Sequence, residues 1–276
     1  MMRGFLPLLC AVSCCAQGGP QITSVWGSAS LLAGPIAPGE LVTIRGSNLG
    51  PSVLDGFQLG SGGTLRTSIG GCNALFDQIL APLVSGSSNQ IEAIVPFASE
   101  GRYSSQVVVQ CGGQNSPPFQ VSMAPTSVGI YTVDGSGRGQ AAAFNVDAFG
   151  NVLSLNSAAA PASRGGSLLL YATGVGQTSP QSVDGSVTTA TLPPPQVTPA
   201  PLLPIGVTIN GQQALYTYAG TAPGLLAAVF VFAVQIPSNA PTGNSVPISI
   251  TVGAPANGPI ASTQSTSQWG VTVCVR

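Results

Sequence analysis

Short runs that alternate apolar and polar residues, each closed by glycine, proline or asparagine, follow one another along the whole chain. Leu41-Val42-Thr43-Ile44-Arg45 ends in Gly46-Ser47-Asn48-Leu49-Gly50, and Gln106-Val107-Val108-Val109-Gln110 turns at Cys111-Gly112-Gly113. Gly129 to Val133 and Gln140 to Val146 flank Asp134-Gly135-Ser136-Gly137-Arg138-Gly139, which reads as a hairpin loop. A period of two predicts strands, and no window holds a capped 3.6-residue period long enough for a helix. The pattern therefore predicts an all-β chain of sandwich type rather than an α/β fold.

The pattern also repeats. Ile69-Gly70-Gly71-Cys72-Asn73-Ala74 returns as Ile209-Asn210-Gly211-Gln212-Gln213-Ala214, the same Ile-x-Gly-x-x-Ala. Pro96 follows the first Ile by 27 positions and Pro237 follows the second by 28; 16 positions further lie Gly112 and Gly253. Gly166-Ser167-Leu168-Leu169-Leu170-Tyr171-Ala172 repeats the run from Gly39 to Arg45 with a small offset. Ordered landmarks at near-equal spacing indicate a duplicated β unit. The expected organisation is a leader at 1–16, one sandwich at 17–124 and a second at 125–276. The second is lengthened by a proline-rich loop at 191–204, expected to run extended over the surface because proline donates nothing to a ladder.

One run breaks the alternation. Val229-Phe230-Val231-Phe232-Ala233 is apolar on both faces, so either something covers it or it is sticky. Val229 and Val231 are therefore candidate interface positions, and self-association is an open outcome.

Composition narrows the chemistry. Of 276 residues 5% are charged, the seven cations are all Arg, there is no His, and the formal net charge is −1. Such a chain lacks the basic footprint of a nucleic-acid binder. With 44% hydrophobic residues it is too apolar for a disordered one. Arg3, the apolar run Gly4 to Ser13 and Cys14-Cys15-Ala16 read as a signal peptide, which makes the protein secreted or cell-surface. A competing export reading makes Cys14 a lipid-anchored N-terminus. No other run approaches the length of a membrane span; Leu225 to Val234 is too short and too β-branched.

Without His or Lys the usual triads, Cys-His pairs and Schiff bases are missing, and no cofactor motif is present. The catalytic stock is eight carboxylates: Glu40, Asp55, Asp77, Glu92, Glu100, Asp134, Asp147 and Asp184. Two acids in a cleft would make a carboxylate-dependent hydrolase. Asp134, Asp147 and Asp184, however, stand beside glycine or in turns, and Glu92 at an outward strand position. Calcium, which takes about six to eight oxygens, finds no clustered acids. A carbohydrate-binding module would need exposed aromatics; the candidates are Trp26, Tyr103, Tyr216, Tyr218 and Trp269. Tyr216 and Tyr218, two apart on one strand, are the pair expected to share a face. Once the leader is set aside, Cys72, Cys111 and Cys274 remain, and Cys72–Cys111 is the candidate disulfide. Their positions in different turns argue against it if those turns lie at opposite ends of a sandwich.

Several of these residues resemble a known family. Ala37-Pro38-Gly39-Glu40, the strand to Ile44, Gly46-Ser47-Asn48-Leu49-Gly50, the Ile-x-Gly-x-x-Ala hairpin and Gln90 to Pro96 look like an IPT/TIG immunoglobulin-like domain. The second half is similar to an uncharacterised C-terminal module of exported acidobacterial proteins. The likeness runs through Asp134 to Ala142, Tyr171 to Pro180 and Ala222-Pro223-Gly224-Leu225. The resemblance implies two tandem immunoglobulin-like sandwiches on an exported, non-enzymatic protein serving adhesion, display or interaction, its protein or glycan partner unnamed.

Overall fold

The computed structural model describes residues 18–188, 198–253 and 264–276. The expected leader, Cys14 and positions 191–197 of the proline-rich stretch lie outside the described residues. The architecture is all-β, and among the described residues the only helical element is one 3-10 turn, Phe97–Ser99.

Two sheets enclose the first core. Strands β1 (Gln21–Gly27), β2 (Leu41–Ser47), β3 (Cys72–Phe76), β4 (Leu83–Gly86), β5 (Gln90–Ile94), β6 (Ser104–Cys111) and β7 (Phe119–Ser122) make up this unit. One sheet runs β1-β2-β5-β4, while in the other β6 pairs with β3 and β7. Their inner faces bury one cluster that includes Val25, Val42, Ile44, Phe76, Ile91, Val107 and Val109, ending at Met123.

The second unit follows the same plan. Its strands are β8 (Ala143–Val146), β9 (Val152–Leu155), β10 (Ser167–Thr173), β11 (Ile205–Ile209), β12 (Tyr216–Thr221), β13 (Phe230–Gln235), β14 (Gly243–Val252) and β15 (Val271–Val275). One sheet is ordered β9-β8-β10-β13-β12, and in the other β14 pairs with β15 and β11. Between them lies a core from Val128 to Val275.

The repeated landmarks occupy corresponding places. In both units the Ile-x-Gly-x-x-Ala stretch opens with a two-residue hairpin turn, Gly70-Gly71 in one and Asn210-Gly211 in the other. All four turn residues have positive φ, at 57°, 76°, 51° and 72°. Two successive left-handed residues make the I′ turn whose twist matches its flanking strands, which is why Gly or Asn stands there. The strand before each landmark proline, β5 or β13, pairs antiparallel with the strand repeated from Gly39, β2 or β10. The copies differ in one respect. The arm after the turn, β3, joins the long strand β6 in the first unit, whereas the arm before it, β11, joins β14 in the second.

Cys72 and Cys111 are joined by a disulfide. The objection that they sit in different turns fails because β3 begins at Cys72, β6 ends at Cys111 and the two strands are antiparallel. The residues are register partners at the same end of the sheet.

The doubly apolar run Val229–Ala233 is covered from within the chain. β13 is an interior strand, flanked by β10 and β12. Phe230, Phe232 and Val234 enter the sandwich core. Val231 points to the other face and is only 1% exposed, packed with Leu169, Ala222, Phe144, Tyr171 and Tyr218. It is thus a second core layer and not an open interface. The described end of the proline-rich stretch is tied to this unit: Ala200–Pro201 pairs with Thr178–Ser179, and Thr221 N–H donates to Pro199 O.

Two stability predictions follow from these placements. Val231→Thr puts a hydroxyl into an apolar layer and should cost about 1–3 kcal/mol in urea unfolding, with the oligomeric state by light scattering unchanged. The double variant Cys72→Ala/Cys111→Ala opens a loop of sequence separation 39 and should lose about 2–4 kcal/mol on the loop-entropy model.

Candidate functional site

The two sandwiches meet over an extended apolar and polar junction. Leu41 and Ile94 are register partners on the outer face of the first sheet. They join Leu65 and Val84 of the first unit and Val187, Leu226, Ala228 and Val229 of the second in a single hydrophobic cluster. Val229, read from the sequence as an interface residue, packs at this internal interface. Around the cluster, backbone and side chains bond across the junction. Leu65 N–H donates to Gly185 O at 2.8 Å, and Leu41 N–H to Thr173 Oγ1 at 3.0 Å. Phe97 N–H donates to Asp184 Oδ1 at 2.9 Å, and Gln177 Nε2 to Phe97 O at 2.8 Å.

Glu40 lies in the middle of this junction and is 1% exposed. Its Oε2 accepts the Ala37 N–H at 2.8 Å, closing the turn before β2, and Oε1 receives the Ser127 hydroxyl at 3.5 Å. Burial pushes its proton affinity up to about 8, against the smaller opposing effects of the Ala37 and Ser127 bonds. Asp184 is likewise raised by burial, opposed by the Phe97 N–H.

At one end of the junction three loops converge. Gln268 Nε2 donates to Ala29 O at 3.3 Å and to Ile130 O at 2.6 Å, tying the turn before β15 to both units. A Cβ on Gly137 would stand 2.6 Å from Ser30 O, so the 134–139 loop is seated on the first unit as well. That loop is stiffened by its own polar groups: Ser136 N–H donates to Asp134 Oδ1, and Gly137 N–H to Thr132 Oγ1. On this base Trp269 is 71% exposed, with the Arg138 guanidinium 4.2 Å from its ring centroid. Beside them is a groove of about 390 Å³ lined by Ser30, Leu32, Thr126, Thr266, Gln268 and Gln264, the last with Oε1 buried and without a hydrogen-bond partner among the described residues.

Residues 20–123 match the family model described as the IPT/TIG domain. The first sandwich is thus similar to the IPT/TIG domain. No curated protein matches the chain. The match ends at Met123, the last residue of the first core, so the junction and the loop end combine the matched sandwich with a second one outside the matched range.

The aromatics marked in the sequence are scattered. Tyr103 of the matched sandwich is 91% exposed and stands alone, and Trp26 is half-buried under Arg45. Tyr216 and Tyr218 do not alternate regularly, because a bulge sets Tyr216 opposite Val234 and Tyr218 opposite Ala233. The Tyr218 hydroxyl is bound to Thr198 Oγ1 and Thr221 O, while Tyr216 is 42% exposed. Both still border an open groove of about 540 Å³ with Pro201, Leu202 and Pro204. The carboxylates are dispersed too. Asp55 pairs with Arg66 and Asp77 with Arg102, Glu92 accepts from Ser85, and Asp134 and Asp147 bind N–H groups of their own loops. Those loop bonds, chiefly from Ser136 and Asn151, hold Asp134 and Asp147 below the usual carboxylate range.

The sequence names Glu40 and Trp269 among its candidate acids and aromatics but shows neither the burial of the first nor the pairing of the second with Arg138. Ile94-Val95, consecutive apolar residues at a strand end, ask for cover on both faces, but nothing local marks Glu40 as the acid buried there. The pairing of Arg138 with Trp269 joins positions far apart in the chain and left no local trace.

Gly174, at φ 79°, sits where a Cβ would run into the Ser127 carbonyl. Gly174→Ala should destabilise by at least about 2 kcal/mol in urea unfolding, from left-handed strain plus displacement of the junction. Gly150→Ala, also left-handed at φ 86° but facing open space, should show only the smaller backbone effect.

Proposed function

We propose that the chain is an exported, non-enzymatic binding module whose contact face is the loop end shared by its two sandwiches. The observation that carries this is the convergence of three loops, drawn from both units, on an exposed Trp269 stacked with Arg138. Trp and Arg are the side chains that most often dominate protein contacts, and both are presented here on fixed backbone. Immunoglobulin-like domains of the IPT/TIG kind are common in binding and surface proteins, which supports the same reading. Among the described residues no helix is long and apolar enough to cross a membrane. The hydrolase alternative draws no support from the acids, most of which are engaged in turns, ion pairs or the junction. A glycan ligand remains a second reading, favoured by one observation, the groove bordered by half-exposed Tyr216.

A photo-crosslinking amino acid placed at 269, with position 103 as an equally open control, separates the readings. Against the envelope fraction and medium of the producing cell, a discrete protein adduct is expected from position 269 and not from 103. Arg138→Gln should lower its yield severalfold. No adduct above the position-103 level would sink the loop-end assignment. Glycan-array binding that survives Trp269→Ala but is lost in Tyr216→Ala would move the function to the other groove.

A further inference from the structure

We infer that Glu40 ties the docking of the two sandwiches to pH: its carboxyl holds the junction together as the neutral acid, and ionisation loosens it. This is independent of what the loop end binds.

The geometry supplies the reason. Glu40 belongs to the first unit, yet its carboxyl is wedged between both. Gly27 backs Oε1 so closely that a side chain there would strike it, and a Cβ on Gly174 of the second unit would stand 3.4 Å from the carboxyl carbon. Ser127 belongs to the segment joining the units and lies against the same oxygen. A buried carboxylate needs a cation or several donors, and this one has the Ala37 N–H and a long contact to Ser127. The described ion pairs, Arg66–Asp55 and Arg102–Asp77, lie elsewhere, and Arg45 stands over Trp26.

The groups that face Glu40 offer no compensating charge. Gly27 and Ser30 of the first unit and Thr173 at the end of β10 do not titrate. Tyr131 is held protonated well above the usual tyrosine range, first by burial and then by the charges of Glu40 and Glu92. Glu92, on β5, is itself acidic and occupied with Ser85. Across the junction Asp184 stands on the Phe97 N–H, and its proton affinity too is raised by burial. An ionised Glu40 therefore has only the Ala37 N–H and a long hydroxyl contact to set against its burial, and neither described ion-pair cation lies beside it.

The sign follows from linkage. A carboxyl ionises at 4.5 in the open chain and near 8 in this junction. Its stabilising effect is complete below 4.5 and disappears as pH rises through about 8. Asp184 adds to the loss in the same direction from its own lower starting value.

Hydrogen exchange of the full chain tests this, read at Leu41 N–H and Leu65 N–H, which bond across the junction, against amides inside β6 and β14. After correction for the intrinsic exchange rate, wild-type protection at 41 and 65 should fall at least tenfold from pH 5.5 to pH 9 while the strand interiors change little. Glu40→Gln, a neutral side chain of the same shape, should keep that protection across the range. Constant wild-type protection overturns the proposal, as does an unchanged pH response in Glu40→Gln or an equal loss inside the strands. Should Glu40→Gln not fold, the wild-type profile alone decides.

Discussion

A sheet that is apolar on both faces at one end has to be covered twice, and this requirement organises the molecule. The inner face of the β1-β2-β5-β4 sheet is filled by its own sandwich. Its outer face, at Leu41 and Ile94, is filled by the neighbouring one. The second sandwich has the matching need at Val229, Leu226 and Ala228, which join the cluster between the units. The units dock because each supplies the apolar surface the other lacks. The polar bonds around that contact, from Leu65 to Gly185 and from Phe97 to Asp184, fix its register.

This mutual cover lets a chain so poor in charge keep its long apolar strands out of water. Buried apolar area is the main stabilising quantity in any such fold. Here it is distributed over two sandwich cores, a second layer under Tyr171 and Tyr218, and the cluster between the units. Among the described residues many of the few charges are placed individually, as in the ion pairs Arg66–Asp55 and Arg102–Asp77, the stacks of Arg45 on Trp26 and Arg138 on Trp269, and self-capped loops. One acid was left inside the junction, where it costs stability whenever it is ionised.

Much of the fold was legible because strand period and turn chemistry are local properties. The I′ turns at Gly70-Gly71 and Asn210-Gly211 announce themselves by residues that tolerate positive φ, and the strands around them by alternation. The run Val229–Ala233 was legible as an anomaly, but what covers it was not, since Leu65, Leu41 and Tyr171 lie far away in sequence. The register of Tyr216 and Tyr218 was hidden for another reason. A bulge adds one residue to a strand without altering the apparent alternation, so the side chains cannot be assigned to faces by counting. Glu40 was invisible as a buried acid because Pro38-Gly39-Glu40 has the look of a surface turn; only the second sandwich makes it interior.

Between Met123, where the first core ends, and Val128, where the second begins, the connection is Ala124 to Ser127. It is engaged along its length: Ala124 N–H donates to Ile36 O, Thr126 Oγ1 to Val252 O, and Ser127 N–H to Gly174 O. A stretch so short and so occupied is no tether. The two sandwiches are therefore held at a set distance and angle to each other, and the loops that one presents keep their place relative to those of the other instead of swinging through a volume.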